Sequence, residues 1–523
     1  MNRPRPFTRL DRLINYLSPG AGLRRQAAKM HLELMADYRG ADTSRLRSNW
    51  LLGRSTATPP SYTLETLRNR SRDLNRNDAV ASGATETMAV NIVGRGLRPQ
   101  SRLRAEVLGV SEEKARELQR QAESIWQTWA PLADSGNRLS FDDLQFLALR
   151  KIVEDGEVLA LPVMADESWR SIARAVELLE SDRLCPQSGK TPTAMETAVE
   201  VGTRGQPVAY WISRMNYANQ MGSAYDIGDP ERIEARDAAG RPRVLHIYRV
   251  NRPGQVRGVP YFAPVLTYFK DLSDYLDAEL VAAKVAACLA VFVTKADPQY
   301  GALGAATTTE TTTGKRIQGV EPGMVNYLAL GENISVVDPK RGGETFSSFV
   351  EGLLRMIGMA LGLSYELLAK DFSKTNYSSA RASLLEGRRM FSTWRSWLAA
   401  QFCQPFWGLV LEEAYLRGLF QAPRFYELRA EYTRAAWIGG GWGWVDPVKE
   451  VQASKMAIDY GLSTMAEEVA GQGRDWEEVF EQLKREQDRA GELDLFFPVS
   501  GAPKMAVASN PAPEGDDNHA QTE

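Results

Sequence analysis

Histidine and cysteine are scarce, three of each in 523 residues. Cys185, Cys288 and Cys403 lie far apart and are odd in number, so neither a disulfide framework nor a zinc-ligand spacing follows, which suits a reducing compartment. His31, His246 and His519 show no paired spacing, leaving a zinc centre or a histidine-based nucleophile relay almost nothing to be built from. His246, in the middle of Leu245-His246-Ile247, reads as a packed structural histidine. Excess positive charge is missing as well: the net charge is −3, which argues against tight static binding of nucleic acid but leaves local basic patches open. No apolar run reaches the roughly twenty residues that a membrane span needs. The most apolar one, Leu280 to Val293, carries Lys284 and reads as buried at a packing or subunit interface. The N-terminal stretch with Arg3, Arg5, Arg9 and Arg12 lacks the apolar core of a secretory signal.

Nucleotide loops are absent in complete form. Gly189-Lys190-Thr191 ends like a phosphate-binding loop, but no upstream glycine supplies a cradle of backbone amides, and a polar loop is the better reading. Gly439-Gly440-Gly441-Trp442-Gly443 lacks the dinucleotide spacing and reads as a bend that lets tryptophans pack.

What is present is helical periodicity. Two apolar, helix-patterned segments, Ala263 to Val293 and Thr345 to Leu368, flank a Thr- and Gly-rich insert. In the first, Val265, Tyr268, Phe269, Leu272, Tyr275, Leu276 and Leu280 form one stripe at i, i+3, i+4, i+7 spacing; at 1.5 Å per residue the helix would run ~45 Å. The polar loop Ala369 to Asn376 leads into a third run from Tyr377, carrying Leu384, Leu385, Phe391, Trp394, Trp397 and Leu398. Pro405 predicts a kink within it and Gly418 a stop. These segments compose a shaft with a small module, residues 296–344, mounted on its end. Within that module Met324 to Leu330 and Asn333 to Val337 are strand candidates.

Around the shaft, residues 60–260 read as one α+β domain, and the chain as a whole as α+β and predominantly helical. Asp78 caps a helix with Val80, Ala84 and Met88 inward, Ser111 caps another running to about Trp129, and Ser140 with Asp143 forms a capping box. Gly156 to Met164, Ile172 to Leu179, Val208 to Ser213 and Val244 to Val250 read as strands. Toward the C-terminus Asp446 precedes Pro447 as a cap, Gly461 ends that helix, and Thr464/Glu467 and Asp475/Glu478 open two more. The basic residues 1–60 form an arm that either docks on a neighbouring subunit or binds nucleic acid; residues 491–523 are expected to be a disordered tail.

The loop Lys370-Asp371-Phe372-Ser373-Lys374-Thr375-Asn376 offers two lysines, hydroxyls and one acid. It reads either as an ordinary surface turn or as a loop that touches a polyanion weakly, with Asp371 offsetting part of the attraction.

Several stretches together carry a family resemblance: Gly156-Glu157-Val158-Leu159-Ala160, Glu180-Ser181-Asp182-Arg183-Leu184, His246-Ile247-Tyr248-Arg249, Gln255-Val256-Arg257-Gly258-Val259-Pro260, Asn376-Tyr377-Ser378-Ser379-Ala380-Arg381, and Trp444-Val445-Asp446-Pro447 through Lys449-Glu450. In this order and spacing the chain resembles the lambda-like portal proteins of tailed bacteriophages. The resemblance implies a portal-type fold: a wing-like domain at 61–260, a first stem helix at 261–295, a clip-like insert at 296–344 and a second stem helix at 345–368. A tunnel-like loop at 369–376, a long kinked helix and Trp-rich crossing at 377–445 and a helical crown-like region at 446–490 complete it. It further implies a ring of about twelve subunits at one capsid vertex of the virion, assembled in the host cytoplasm. Double-stranded DNA would pass through the ring, with Lys370, Asp371, Ser373, Lys374 and Asn376 facing the channel. Val265, Tyr268, Phe269, Leu272, Leu276 and Leu280 would serve the stem and subunit interface. The implied partners are the terminase large subunit, major capsid or scaffold proteins and a head-completion adaptor; no cofactor, metal, catalytic residue or membrane is implied. The alternatives are a metal-dependent enzyme acting on nucleic acid or phosphoesters through Asp142, Asp143, Glu180 and Asp182, and a helical scaffold that never meets DNA.

Overall fold

The computed structural model describes residues 57–185, 197–213, 230–287 and 343–493, together with Leu495 and the backbone of four short strands within 291–336. Residues 1–56 of the basic arm, Gly189-Lys190-Thr191, Met324 to Leu330, Cys288, His31, His519 and the tail beyond Leu495 lie outside the described residues.

The described residues open with α1 (Ser61–Asn77) and α2 (Ala79–Ile92), followed by β1 (Arg98–Ser101), α3 (Glu112–Trp129) and α4 (Phe141–Asp155). The expected caps are in place: Asp78 Oδ1 accepts from the Ala81 N–H at 2.8 Å, Ser111 Oγ from that of Lys114, and Ser140 with Asp143 closes a full capping box. Strands β2 (Glu157–Met164), β3 (Arg174–Leu179), β4 (Val199–Val201), β5 (Pro207–Ser213), β6 (Pro230–Glu234) and β7 (Leu245–Tyr248) follow. They form two antiparallel sheets, ordered β3-β2-β7 and β4-β5-β6. Successive side chains of a strand point to opposite faces. Val158 and Ala160 of β2 enter the main core while Leu159 and Leu161 enter a second one with Leu179, Tyr210, Ile212 and Ile233. Burial on both faces is why this strand reads as a nearly continuous apolar run.

The first long helix, α5 (Leu266–Ala287), is shorter than its apolar pattern suggests. The chain turns to strand β8 (Val291–Lys295), paired antiparallel with β11 (Glu332–Val336), and β9 (Thr308–Thr309) pairs with β10 (Arg316–Ile317). The expectation of helix to Val293 thus fails where β-branched Val291, Val293 and Thr294 find a partner strand. The second helix also ends early. α6 spans Gly343–Leu361, Gly362 adopts φ +67°, and the Leu363 N–H returns to the Gly358 carbonyl at 2.8 Å, so α7 (Tyr365–Ala369) begins afresh on the Ser364 cap. The third run is α8 (Tyr377–Leu398), a π-helical turn at Ala399–Cys403, and α9 (Gln404–Leu416). Pro405 has no N–H for the Gln401 carbonyl, and the wide turn absorbs that mismatch.

A strand after α9, β12 (Ala435–Ile438), pairs antiparallel with β1, and α10 (Pro447–Asp459), α11 (Met465–Gly471) and α12 (Trp476–Glu492) close the described chain. Thr464 and Glu467 make the expected capping box. Asp475 caps α12 through the Glu477 N–H instead, its other oxygen being taken by the Gln100 amide.

The main core ignores the boundary expected near residue 260. Trp126 and Trp129 of α3 and Phe141 of α4 pack on Phe402, Phe406 and Trp407, with centroids 4.9 Å (Trp126–Phe141), 5.1 Å (Phe141–Phe402) and 5.6 Å (Trp126–Trp407) apart. The second half of the third helical run is therefore the floor of the 61–260 region.

Candidate functional site

The predicted site is the loop between α7 and α8. Lys370 ends α7 with φ +55°, and Asn376 starts α8 by accepting from the Ser379 N–H at 2.8 Å. Asp371 Oδ1 accepts from the Ser373 N–H at 2.9 Å and Thr375 Oγ1 donates to the Phe372 carbonyl, so the five residues are a tight, self-bonded turn. Lys370, Ser373, Lys374 and Asn376 are exposed and Asp371 is half-buried.

Asp371 stays ionised and lowers the net charge of the loop, but its direct partners are not the lysines. Its hydrogen bonds from Ser373 hold its carboxyl below the ordinary range, and its second oxygen accepts from the Tyr365 hydroxyl at 3.4 Å. Lys374 pairs with Glu351 of α6, which holds the glutamate below and the lysine above their ordinary values. The Lys370 ammonium has no partner among the described residues. Sequence reasoning missed Glu351, and no local pattern marks a residue twenty-three positions from its partner.

Of the stripe residues, Val265, Phe269 and Leu272 are buried in the chain's own core, which corrects the expectation that they face a neighbour: α5 covers them itself by packing on this core. Tyr268 is half-buried against the same core. Beyond Tyr275, which stacks on Phe346 and meets Phe349 edge-on, both of α6, the helix surface emerges, with Leu276, Leu280 and Val281 exposed. Phe349, Met356 and Met359 are exposed along α6.

A second charged cluster is buried where α4 meets β2. The fully buried Glu157 carboxylate accepts from Arg68 at 2.6 Å, from Arg257 at 2.6 and 2.8 Å and from the Gly258 N–H at 2.5 Å, and touches His246 Nε2 at 3.0 Å. Burial alone would raise its pKa; Arg257, His246 and Arg68 outweigh that and hold it ionised. Burial lowers the His246 pKa and keeps the ring neutral. The backbones of Gly156 and Gly258 cross so closely here that a Cβ on either would lie 2.2 Å from the other strand. Arg257 also reaches the Ser181 carbonyl, and Arg72 pairs with both Asp155 and Asp182. Four of the stretches that carry the family resemblance therefore meet at one buried junction. The remaining two meet elsewhere, Lys449 lying over the Tyr377 ring at 6.0 Å.

The four carboxylates of the enzyme alternative are engaged separately. Asp142 accepts from Gln145, Asp143 closes the capping box, Glu180 pairs with Lys151 and Asp182 with Arg72. Among the described residues no three His, Cys, Asp or Glu side chains are grouped to hold a metal, and no helix is long and apolar enough to cross a membrane.

Fold and site together define an α+β protein of long helices with two ion-pair clusters, one buried and one at a surface loop. Comparison with known proteins gives the particular family. Residues 43–395 match the family described as phage portal protein, lambda family, and the chain belongs to that family. It is 28% identical to the portal protein of Escherichia phage N15, covering 80% of this chain and 83% of that one. Identity is 26% with portal protein B of Escherichia phage lambda, over 80% and 82% of the two chains. A probable portal protein of Halomonas phage phiHAP-1 is 24% identical over 94% of each chain. Among solved structures, the neck of a native GTA particle, computed with C12 symmetry, is similar at 15% identity and a TM-score of 0.39, over 69% of this chain and 86% of that one.

Proposed function

We propose that this chain is the subunit of a portal ring at one vertex of a phage capsid. About twelve copies close around a channel through which double-stranded DNA is packaged and ejected. Residues 296–344 act as the clip that docks the terminase large subunit and later the head-completion protein, and capsid or scaffold proteins surround the ring. The ring is a conduit: hydrolysis of ATP belongs to the separate motor.

The observation that carries this reading is the pair α5 and α6 in a chain of the portal family. One copy exposes Leu276, Leu280, Val281, Phe349, Met356 and Met359 along them, and apolar helix faces of this kind are covered by neighbours in closed assemblies. The loop 369–376 supplies the DNA contact. Two loop lysines per subunit become roughly two dozen around a ring, each neutralising one phosphate, and weak, partly offset charge lets a duplex slide where strong charge would brake it.

Negative-stain imaging of the purified full-length protein tests the assembly: closed rings with an open centre are expected, and a compact monomer at high concentration overturns it. Lys370→Ala with Lys374→Ala should leave rings intact and alter DNA packaging or retention. Failure of that double variant to form rings would make the lysines structural.

A further inference from the structure

Glu351 closes a circuit that ties the loop to α6. Lys374 Nζ pairs with Glu351 Oε1, Arg355 Nη2 donates to Glu351 Oε2 at 3.2 Å, and Ser347 Oγ donates to Oε1 at 3.3 Å. The Arg355 guanidinium lies over the Tyr365 ring at 5.2 Å, and the Tyr365 hydroxyl donates back to Asp371 in the loop. The two ends of the turn are thus held by linked partners on two helices, Asp371 by Tyr365 of α7 and Lys374 by Glu351 of α6, while the Lys370 ammonium has no partner among the described residues.

We propose that Glu351 is a built-in competitor for the DNA backbone, so that the loop's two lysines play unequal parts. This rests on the reading of 369–376 as the DNA-contacting loop. Lys370 is the standing contact; Lys374 engages a phosphate only by leaving Glu351. The exchange is one carboxylate for one phosphate oxygen at the same ammonium, so no proton moves. The lysine side of this pair is open to water while the Glu351 side chain is half-buried, and ion pairs at such a surface are weak and exchange readily, which suits a loop that must grip and release each passing phosphate. Arg355 and Ser347 keep the Glu351 carboxylate in place while Lys374 is away, so the lysine has a fixed partner to return to. Grip on DNA is accordingly set by a residue outside the loop.

The test is a salt titration of linear double-stranded DNA binding by fluorescence anisotropy. It uses the full-length protein, with each variant first shown to keep the wild-type oligomeric state by size exclusion. Glu351→Gln removes the competing charge and keeps the side chain's shape. It should tighten binding at low salt and steepen the slope of log K against log salt by about 0.9 for each lysine released. Adding Lys374→Ala to Glu351→Gln should erase the gain, which a mere change of overall charge would not do. If the lysine pair Lys370→Ala/Lys374→Ala weakens binding while Glu351→Gln stays at the wild-type slope, the competitor is overturned and the DNA loop stands. If the wild type does not bind, or the lysine pair changes nothing, the DNA reading fails and the competitor with it.

Discussion

Glu157 and Glu351 are both glutamates held by a pair of basic side chains, yet they stand in opposite surroundings. Glu157 has no exposed surface, two arginines, a histidine and a backbone N–H at its oxygens, and two glycines crossing beside it. Glu351 is half-buried on α6, with the exposed side chains of Lys374 and Arg355 around it. A buried carboxylate that loses its partners strands charge in a poor solvent, so such a cluster stays shut. At the surface water replaces either partner at little cost, so the same chemistry can open. The difference assigns geometry to one cluster and exchange to the other.

The largest effect should come from breaking the buried side of this comparison. Glu157→Ala leaves Arg68 and Arg257 facing each other without a counter-ion, and a loss of about 3–5 kcal/mol is expected. Thermal unfolding followed by circular dichroism reads it, and an unchanged melting temperature would contradict the role given to the junction. Glu351→Ala measured alongside should leave melting where it was.

The helix α5 sharpens the contrast within one element. Phe269→Ala opens a hole in the chain's own core and should cost about 3–5 kcal/mol. Leu276→Glu with Leu280→Glu changes only exposed positions, so helical content should persist while the sedimentation coefficient falls from that of a ring to that of a subunit. Rings that survive the double change would remove these leucines from the interface.

How much of this was legible beforehand follows from the range of the forces involved. Caps and stops are local, so Asp78, Ser140 and Thr464 announced their helices, and the kink at Pro405 followed from one missing N–H. The loop was found because two strong helical patterns bracket it. What stayed hidden is non-local: β12 pairing with β1 across the chain, the aromatic floor lent by Phe402, Phe406 and Trp407, and Glu351 reaching Lys374. His246 was readable as a packed histidine, but its partner was not, although Glu157 is conspicuous as a charge opening a strand buried on both faces. The helical reading of Ala263 to Val293 held to Ala287 and failed at Val291, because apolar periodicity cannot see a partner strand about forty residues away.

The smallest effect concerns a third carboxylate, intermediate between the other two. Glu123 of α3 accepts from the Ser101 N–H at 2.7 Å and faces the start of α12, where Gln100 is hydrogen-bonded to Asp475. Burial raises the Glu123 pKa to about 7 against the pull of the Ser101 N–H, and the charges of Asp475, Glu477 and Glu478 add to the rise. A carboxyl whose folded pKa is raised binds its proton more tightly in the docked state. Its contribution is therefore complete below the ordinary glutamate value of 4.5 and is lost as pH rises through about 7. Hydrogen exchange along Trp476–Glu492 and Arg98–Ser101 should quicken as pH rises from 4.5 to about 7, once corrected for the intrinsic rate, while exchange near Glu157 keeps its protection. Glu123→Gln, which stays neutral throughout, should flatten that difference. If wild type and Glu123→Gln show the same pH dependence at α12, the joint between α3 and α12 belongs with the permanently shut cluster at Glu157.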